Sequence, residues 1–505
     1  MNRRLFVGGS LGLGLGLSHA GSRAFAQSGN EITVIQAEDV STMDPHLDWT
    51  VSGRNVYYQM FGTLALGDSE LVIQPDLAES WEYVSDRSLQ LNLRQGVTFH
   101  NGEPFDARAV QFSLERILNP DTGSPWISVI SMITDIEVVD DYTVVVTSDL
   151  PNATFLAEIG RMAIVPPAYI EEVGAEGFAD HPIGTGPFKF VEWRVGEQVV
   201  LEANDEYWNG RPEVDRVIIK AVPENLTRVT ELLTDRADLV AKVPPELVPE
   251  VEGTEGARIE SVSSVQNVFI GMTTAEGPFS DVRVRQAVNY AIDVDLLIDA
   301  ILGGLARPVD GPFSPLIFGV DPEMPGFDYN PERAKELLAE AGFADGFDTE
   351  LTFGQGRIIK AQELAEAIAS ELANVGIRVS VVPREWGLYW ELHGAGNLEG
   401  MYLDSLTATI GDPDQVLKFV DSTRNGYYFN TPELDALILA QRTETDTEAR
   451  IELIHQVQQM MIDEAPWAYL FDVDLLYGVS DKIDYNPRPN ELIWLADVTL
   501  RDQGA

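Results

Sequence analysis

The chain contains no cysteine. That excludes disulfides, thiolate metal sites, iron–sulfur clusters and a cysteine nucleophile, and it leaves no cysteine for a lipid anchor behind a signal peptide. Basic residues are scarce: 34 Lys and Arg stand against 81 Asp and Glu, a formal net charge of −47. Such a surface repels nucleic acid and anionic membrane, so neither is expected as a partner, and it favours solubility. Most of the acidity reads as a solvated face suited to salty surroundings; steering of cationic ligands is the sharper alternative. Long apolar runs are missing too, and no segment approaches the roughly 20 residues of a membrane span. The six histidines follow neither HExxH nor HxH spacing, and each reads as a surface or turn residue. Gly354-x-Gly356 is too short a glycine pattern for a phosphate loop. No catalytic constellation, resident metal or cofactor is expected.

What is present begins with an address label. Arg3-Arg4 precede a Gly-diluted apolar run, and Ala24-Phe25-Ala26 fits a small-x-small cleavage site. Residues 1–26 read as a Tat-like export signal, with an ordinary Sec signal as the alternative. Gly8-Gly9-Ser10-Leu11-Gly12 fits G-x-S-x-G but follows no strand and reads as a chance match. The remainder is too long for one ordinary core, and two or three domains are expected.

Along the chain, EITVIQ (31–36) reads as a first strand and 54–64 as a helix. Short strands and turns follow to about 181, with an amphipathic helix over 106–118. VIIKA (217–221), a helix at 225–233 and a strand at 237–240 continue in α/β fashion. Helices are expected at 281–292, from Asn330-Pro331, and at 361–375; IRVSVV is the next strand. A long helix stops before Pro466, and AYLFDVDLLYGV reads as a strand. No internal repeat is visible.

The most specific stretch is 182–208, PIGTGPFKFVEWRVGEQVVLEANDEYW. Gly184 and Gly186 mark positive-φ or close-approach positions, and a hairpin turning at Val195-Gly196 follows. This stretch resembles a signature of extracytoplasmic solute-binding proteins of the peptide, nickel and opine class. QPDLAESW (74–81), LRQGVTFHNGEPF (93–105), VRVRQAVNYAID (282–293), YNPERAKELLAEAGF (329–343) and, less tightly, GYYFNTPELDAL (426–437) resemble it in the same order.

The resemblance implies a two-lobed α/β periplasmic binding protein of type II, large class, with an inserted subdomain. Lobe I is expected to take 27–67, 183–272 and 475–505, the subdomain 68–182, and lobe II 273–474. It implies a monomeric, soluble, periplasmic binding component that captures a small polar solute, peptide-like, opine-like or sugar-like, and delivers it to ABC transporter permease subunits. A metal chelate is the alternative ligand, and an enzyme or a chemoreceptor-linked sensor the alternative role.

Ligand-binding candidates follow from position in the family's pattern. Trp49, Ser52 and Gly53 fall on a first-lobe loop that approaches the ligand in peptide binders. Trp386 is a candidate aromatic wall, with a core Trp as its rival. Arg161, inside the apolar IGRMAIVPP, is a candidate carboxylate partner, with a structural ion pair as its rival. In YLDSLTATIGDPD, the residues Tyr402, Asp404, Thr407 and Thr409 precede Gly411-Asp412-Pro413-Asp414. The dipeptide binders place an aspartate for the peptide ammonium where this chain has Thr409. A neutral hydroxyl cannot neutralise a buried cation, and Asp404 lies on the other face of a regular strand. A ligand held through its amine in the usual way is therefore in doubt.

Overall fold

The computed structural model describes residues 30–501. The export segment, its G-x-S-x-G match and His19 lie outside the described residues.

The spine is an 11-stranded mixed sheet. One end runs Ile377–Arg384, Phe347–Gly354, Met401–Thr407; the other runs Leu239–Ala241, Glu31–Gln36, Arg216–Ala221, Gln198–Ala203, Phe188–Arg194. Two long strands, Ala257–Met272 and Trp467–Ser480, join the ends. Nearly every residue of WAYLFDVDLLYGVS is buried, as expected of a strand covered on both faces.

These two strands stay paired with each other along their length, but the partners on their outer edges change partway along. Ala257 to Ser263 pair with Ser480 to Asp474, while Gln266 to Met272 pair with Thr407 to Met401 on their other edge. The register slips between Ser263 and Asn267, and Ser264 Oγ donates to Val473 O at 2.7 Å. A bulge breaks the ladder and bends the strand. Each half of the sheet has its own core: Phe188, Leu201, Val217 and Tyr477 belong to one, Ile270, Leu351, Leu403 and Leu470 to the other.

Asp472 sits at this slip, 3% exposed, with Asn267 Nδ2 donating to its Oδ1 at 3.4 Å. Burial pushes its carboxyl up to about 7, against hydrogen bonds from Ser314 and Asn267. Between the unfolded value of 3.8 and about 7 the folded chain holds the extra proton, so this group's effect on stability turns unfavourable as pH rises through that window. Asp472→Asn mimics the protonated form. It is expected to stabilise the fold by about 1–3 kcal/mol at pH 8 and by little at pH 4, read from urea midpoints at the two pH values.

A separate four-stranded antiparallel sheet, ordered Ala78–Tyr83, Ser88–Leu93, Thr143–Ser148, Ile133–Asp140, packs on the helix Ala107–Leu118 through Leu89, Leu91, Val110 and Val146. The turn 184–186 ties this unit to the large sheet. Gly186 N donates to Met60 O at 2.8 Å and His100 N to Gly184 O at 2.8 Å, and Gly62 N donates to Thr185 Oγ1 at 3.1 Å. Neither glycine has a positive φ, so close approach is what the motif supplies.

Most expected elements appear. The helix placed at 54–64 instead spans Val51–Met60, because Thr50 accepts from Gly53 N and starts it early. Glu385 caps a helix, Trp386–Gly394, that the sequence reading did not assign. The histidines need correction. His46 and His393 are buried, His46 because Ala163 O and Arg116 satisfy its two ring nitrogens at 2.8 and 2.9 Å.

Candidate ligand-binding cleft

Where the two long strands change outer partners, segments from both halves of the sheet face one another. A cavity of about 680 Å³ lies between them, lined by Arg228 and Lys242 from one side, Arg357 and Lys360 from the other, with Asp474 and Glu491 at its base. Glu491 adopts φ +67°, a conformation that costs a non-glycine residue about 1–3 kcal/mol and collects at functional sites. It is buried, and Lys242 Nζ meets it at 2.7 Å. Burial alone would raise its carboxyl; the Lys242 charge and hydrogen bond, then Arg357 and Arg54, hold it below the usual glutamate range.

On the far side of Glu491, its neighbours Asn490 and Leu492 line a second, much smaller space, bridged by hydrogen bonds. Arg161 pairs with Glu158 and also donates to Thr409 Oγ1 at 3.4 Å. Asn490 Nδ2 donates to Thr409 O at 3.3 Å, and Ala153 N to Arg442 O at 2.8 Å. A residual cavity of about 30 Å³ remains there, lined by Arg54, Tyr58, Arg161, Thr409 and Asn490. It shares Leu71, Ile73, Ala157 and Ile410 with an outer chamber of about 510 Å³.

Helix Trp386–Gly394 carries a stack of rings. Trp386 and Trp390 lie 5.7 Å apart, and Trp390 and His393 5.5 Å apart and nearly parallel. Trp386 is 37% and Trp390 48% exposed, leaving part of the stack open. Beneath it Asp404 is buried and accepts from Tyr389 Oη at 2.9 Å and Ser405 N at 2.7 Å. Burial raises its carboxyl, opposed by the charge of His393 and, more weakly, of Arg357.

The structure thus brings Arg161 and Thr409 together, and gathers Trp386, Tyr402 and Asp404 into one aromatic cluster around Tyr389 and His393. Thr407 ends its strand opposite Gln266, which lines the large cavity. Trp49, Ser52 and Gly53 stand apart at the start of helix Val51–Met60 and line none of these cavities. Gly53 packs on Asp48 and Tyr57. For Arg161, the ion pair with Glu158 exists, and the residue also lines the small cavity.

The sequence reading missed Arg54, Tyr58, Arg357, Asn490 and Glu491. Arg54 carried a usable signal, as the one cation in VSGRNVYYQM. Glu491 carried none, since only the chain's return brings it to the cleft. Asp412 and Asp414 turn inward: Arg450 grips Asp412 with two hydrogen bonds of 2.8 Å, and Arg424 and Arg442 hold Asp414. No group of His, Asp or Glu suited to a metal ion occurs among the described residues, and no helix there is long and apolar enough to cross a membrane.

Known proteins resemble the chain along most of its length. Heme-binding protein A of Haemophilus influenzae is 31% identical over 430 residues, 78% of each chain. The glutathione-binding protein GsiB of Pectobacterium atrosepticum is 30% identical over 484 residues, 92% of each. Among solved structures, the ABC transporter-associated periplasmic binding protein DppA of Helicobacter pylori, in complex with the peptide STSA, superposes with a TM-score of 0.77 at 26% identity, covering 93% of this chain and 98% of that one. The model of the family "Bacterial extracellular solute-binding proteins, family 5 Middle" matches residues 72–428. The chain belongs to the family 5 bacterial extracellular solute-binding proteins, with the two-lobed α/β fold of periplasmic binding proteins.

Proposed function

We propose that this protein is exported through its Tat-like leader and works in the periplasm as the monomeric substrate-binding component of an ABC importer, trapping a small peptide-like solute between its lobes and presenting it to the membrane permease. No bond-breaking step is involved. The observation that carries the reading is the cavity of about 680 Å³ lined from both halves of the sheet, at the point where the two connecting strands change outer partners. Two rigid bodies joined by two strands can open and close about a few residues, and closure buries a ligand from both sides.

We place the lobe crossings at 264–266 and 472–474, where the ladder between the long strands slips, the first of them earlier than the boundary at 272 expected from the resemblance, with the subdomain at 68–182. Mixed charge in the cleft, Arg357, Lys242 and Glu491 above all, supports a zwitterionic solute. The relatives that bind glutathione and a short peptide support a small peptide. The exposed Trp386–Trp390 stack lines none of these cavities, but Trp386 lies against Gly354, between the cavity-lining Phe353 and Gln355, and so sets an exposed aromatic surface beside the large cavity for such a solute.

Native mass spectrometry of protein purified without refolding tests this, with a retained small peptide-like mass expected; a protein free of ligand that binds no peptide would sink it. Trp386→Ala is expected to weaken peptide binding about 10-fold with a melting temperature within a few degrees of the parent. A large fall in melting temperature at unchanged affinity would assign Trp386 to the core.

A further inference from the structure

We propose that the solute presents a carboxylate, or an oxyanion of that size, to Arg54 and Arg161 in the small space on the far side of Glu491; this rests on the reading of the cleft as the solute site.

Two buried guanidinium groups share that place. Arg54 is 6% exposed and its Nε has no hydrogen-bond partner. The Arg161 Nε is likewise buried and unpartnered. Arg161 is partly neutralised by Glu158. Arg54 faces Tyr58, and its nearest carboxylate influence, Glu491, is already committed to Lys242. Burial lowers the proton affinity of Arg54, and the Arg161 charge lowers it further against the opposing pull of Tyr58. A buried cation left short of a partner costs several kcal/mol. In a chain with 81 acids, a structural carboxylate would be the simplest remedy, yet none fills the gap.

The size of the gap fits an oxyanion. The cavity between Arg54, Arg161, Thr409 and Asn490 is about 30 Å³. One water needs about 10–15 Å³ by this measure, so the space takes two or three oxygen-sized atoms and excludes a peptide body. Two guanidinium forks facing one carboxylate are a strong planar match. Thr409 approaches Arg161 from the opposite lobe, so an anion held by the two arginines would lie at the seam between the lobes.

Calorimetric titration of the full chain tests this with glutathione and Ala-Ala-Ala, each as the free acid and as the C-terminal amide. The parent is expected to bind at least one acid about 10-fold or more tightly than its amide. Arg54→Gln and Arg161→Gln should each bring that ratio to within about 3-fold, and Arg54→Lys, which keeps charge and loses the fork, should fall between. The ratio is taken within each variant, so partial unfolding cancels. Acid and amide binding alike in the parent, or a ratio that survives both Gln variants, overturns the proposal and leaves the solute-binding reading intact. Binding of none of the four probes counts against a peptide solute itself, and against the proposal with it.

Discussion

The Asp412→Ala variant is expected to lose about 3–5 kcal/mol of unfolding free energy, seen as a lower denaturant midpoint. Asp412 is 7% exposed and Arg450 6% exposed, and they meet through two parallel hydrogen bonds of 2.8 Å. Arg450 is also held by Gln441, whose side-chain oxygen lies 3.0 Å from Nη2. Removing the carboxylate leaves a largely buried guanidinium without its counter-ion, at the wall of the outer chamber. The penalty is that of an unpaired buried charge rather than the net worth of the pair. The double variant Asp412→Ala/Arg450→Met removes both charges and should recover about half or more of the loss. A loss below about 1 kcal/mol for Asp412→Ala would show that solvent reaches the pair. This assigns the Asp412-Pro413-Asp414 segment to holding the second lobe together, and leaves Thr409 just ahead of it facing the cleft.

Gly184→Ala is the second large effect, about 3 kcal/mol or more of destabilisation. A Cβ at this position would stand 2.1 Å from Met60 O and 2.7 Å from Phe61 Cδ1. The first of these is backbone at the end of a packed helix, so it cannot swing aside. The same helix end accepts from Gly186 N at 2.8 Å, and Gly184 O accepts from His100 N at 2.8 Å. Moving the turn outward therefore breaks contacts to both the large sheet and the unit built on the four-stranded sheet. Gly196, in the turn of the following hairpin, is the internal control. A Cβ there meets nothing within 4 Å, although φ is +74°. Gly196→Ala should cost only the left-handed backbone term, about 1–2 kcal/mol. Thermal melts in which the two variants fall together, or in reverse order, would remove the close-approach explanation.

Local pattern made much of the fold legible. The helix at 225–233 needed only its apolar spacing, and Pro331–Glu340 announced itself through Asn330 and Pro331. The hairpin Phe188–Arg194 and Gln198–Ala203 followed from alternation around Gly196. The strand Trp467–Ser480 was visible as a largely apolar stretch interrupted by Asp472 and Asp474, but the stretch does not say where along it the outer partners change. That depends on how two separately packed cores meet, which no local spacing encodes.

The site divides in the same way. Arg161 stood out because a cation in an apolar segment must find a partner, and Thr409 because a family position had lost its charge. Arg54, Arg357 and Glu491 come from segments at 54, 357 and 491 and meet only in the folded chain. Trp49 sits just before the first helix among the described residues and yet away from the cavities.

By itself, then, the sequence determined the class. The Gly184-Thr185-Gly186 hairpin and its companion segments carry the resemblance to solute-binding proteins, while zero cysteines and a net charge of −47 only excluded alternatives; both kinds of signal are local or compositional. The tertiary structure alone decided which charges face one another across the cleft. Pairing and burial set the electrostatics of Arg54, Glu491 and Asp404, and both arise from residues far apart in the chain.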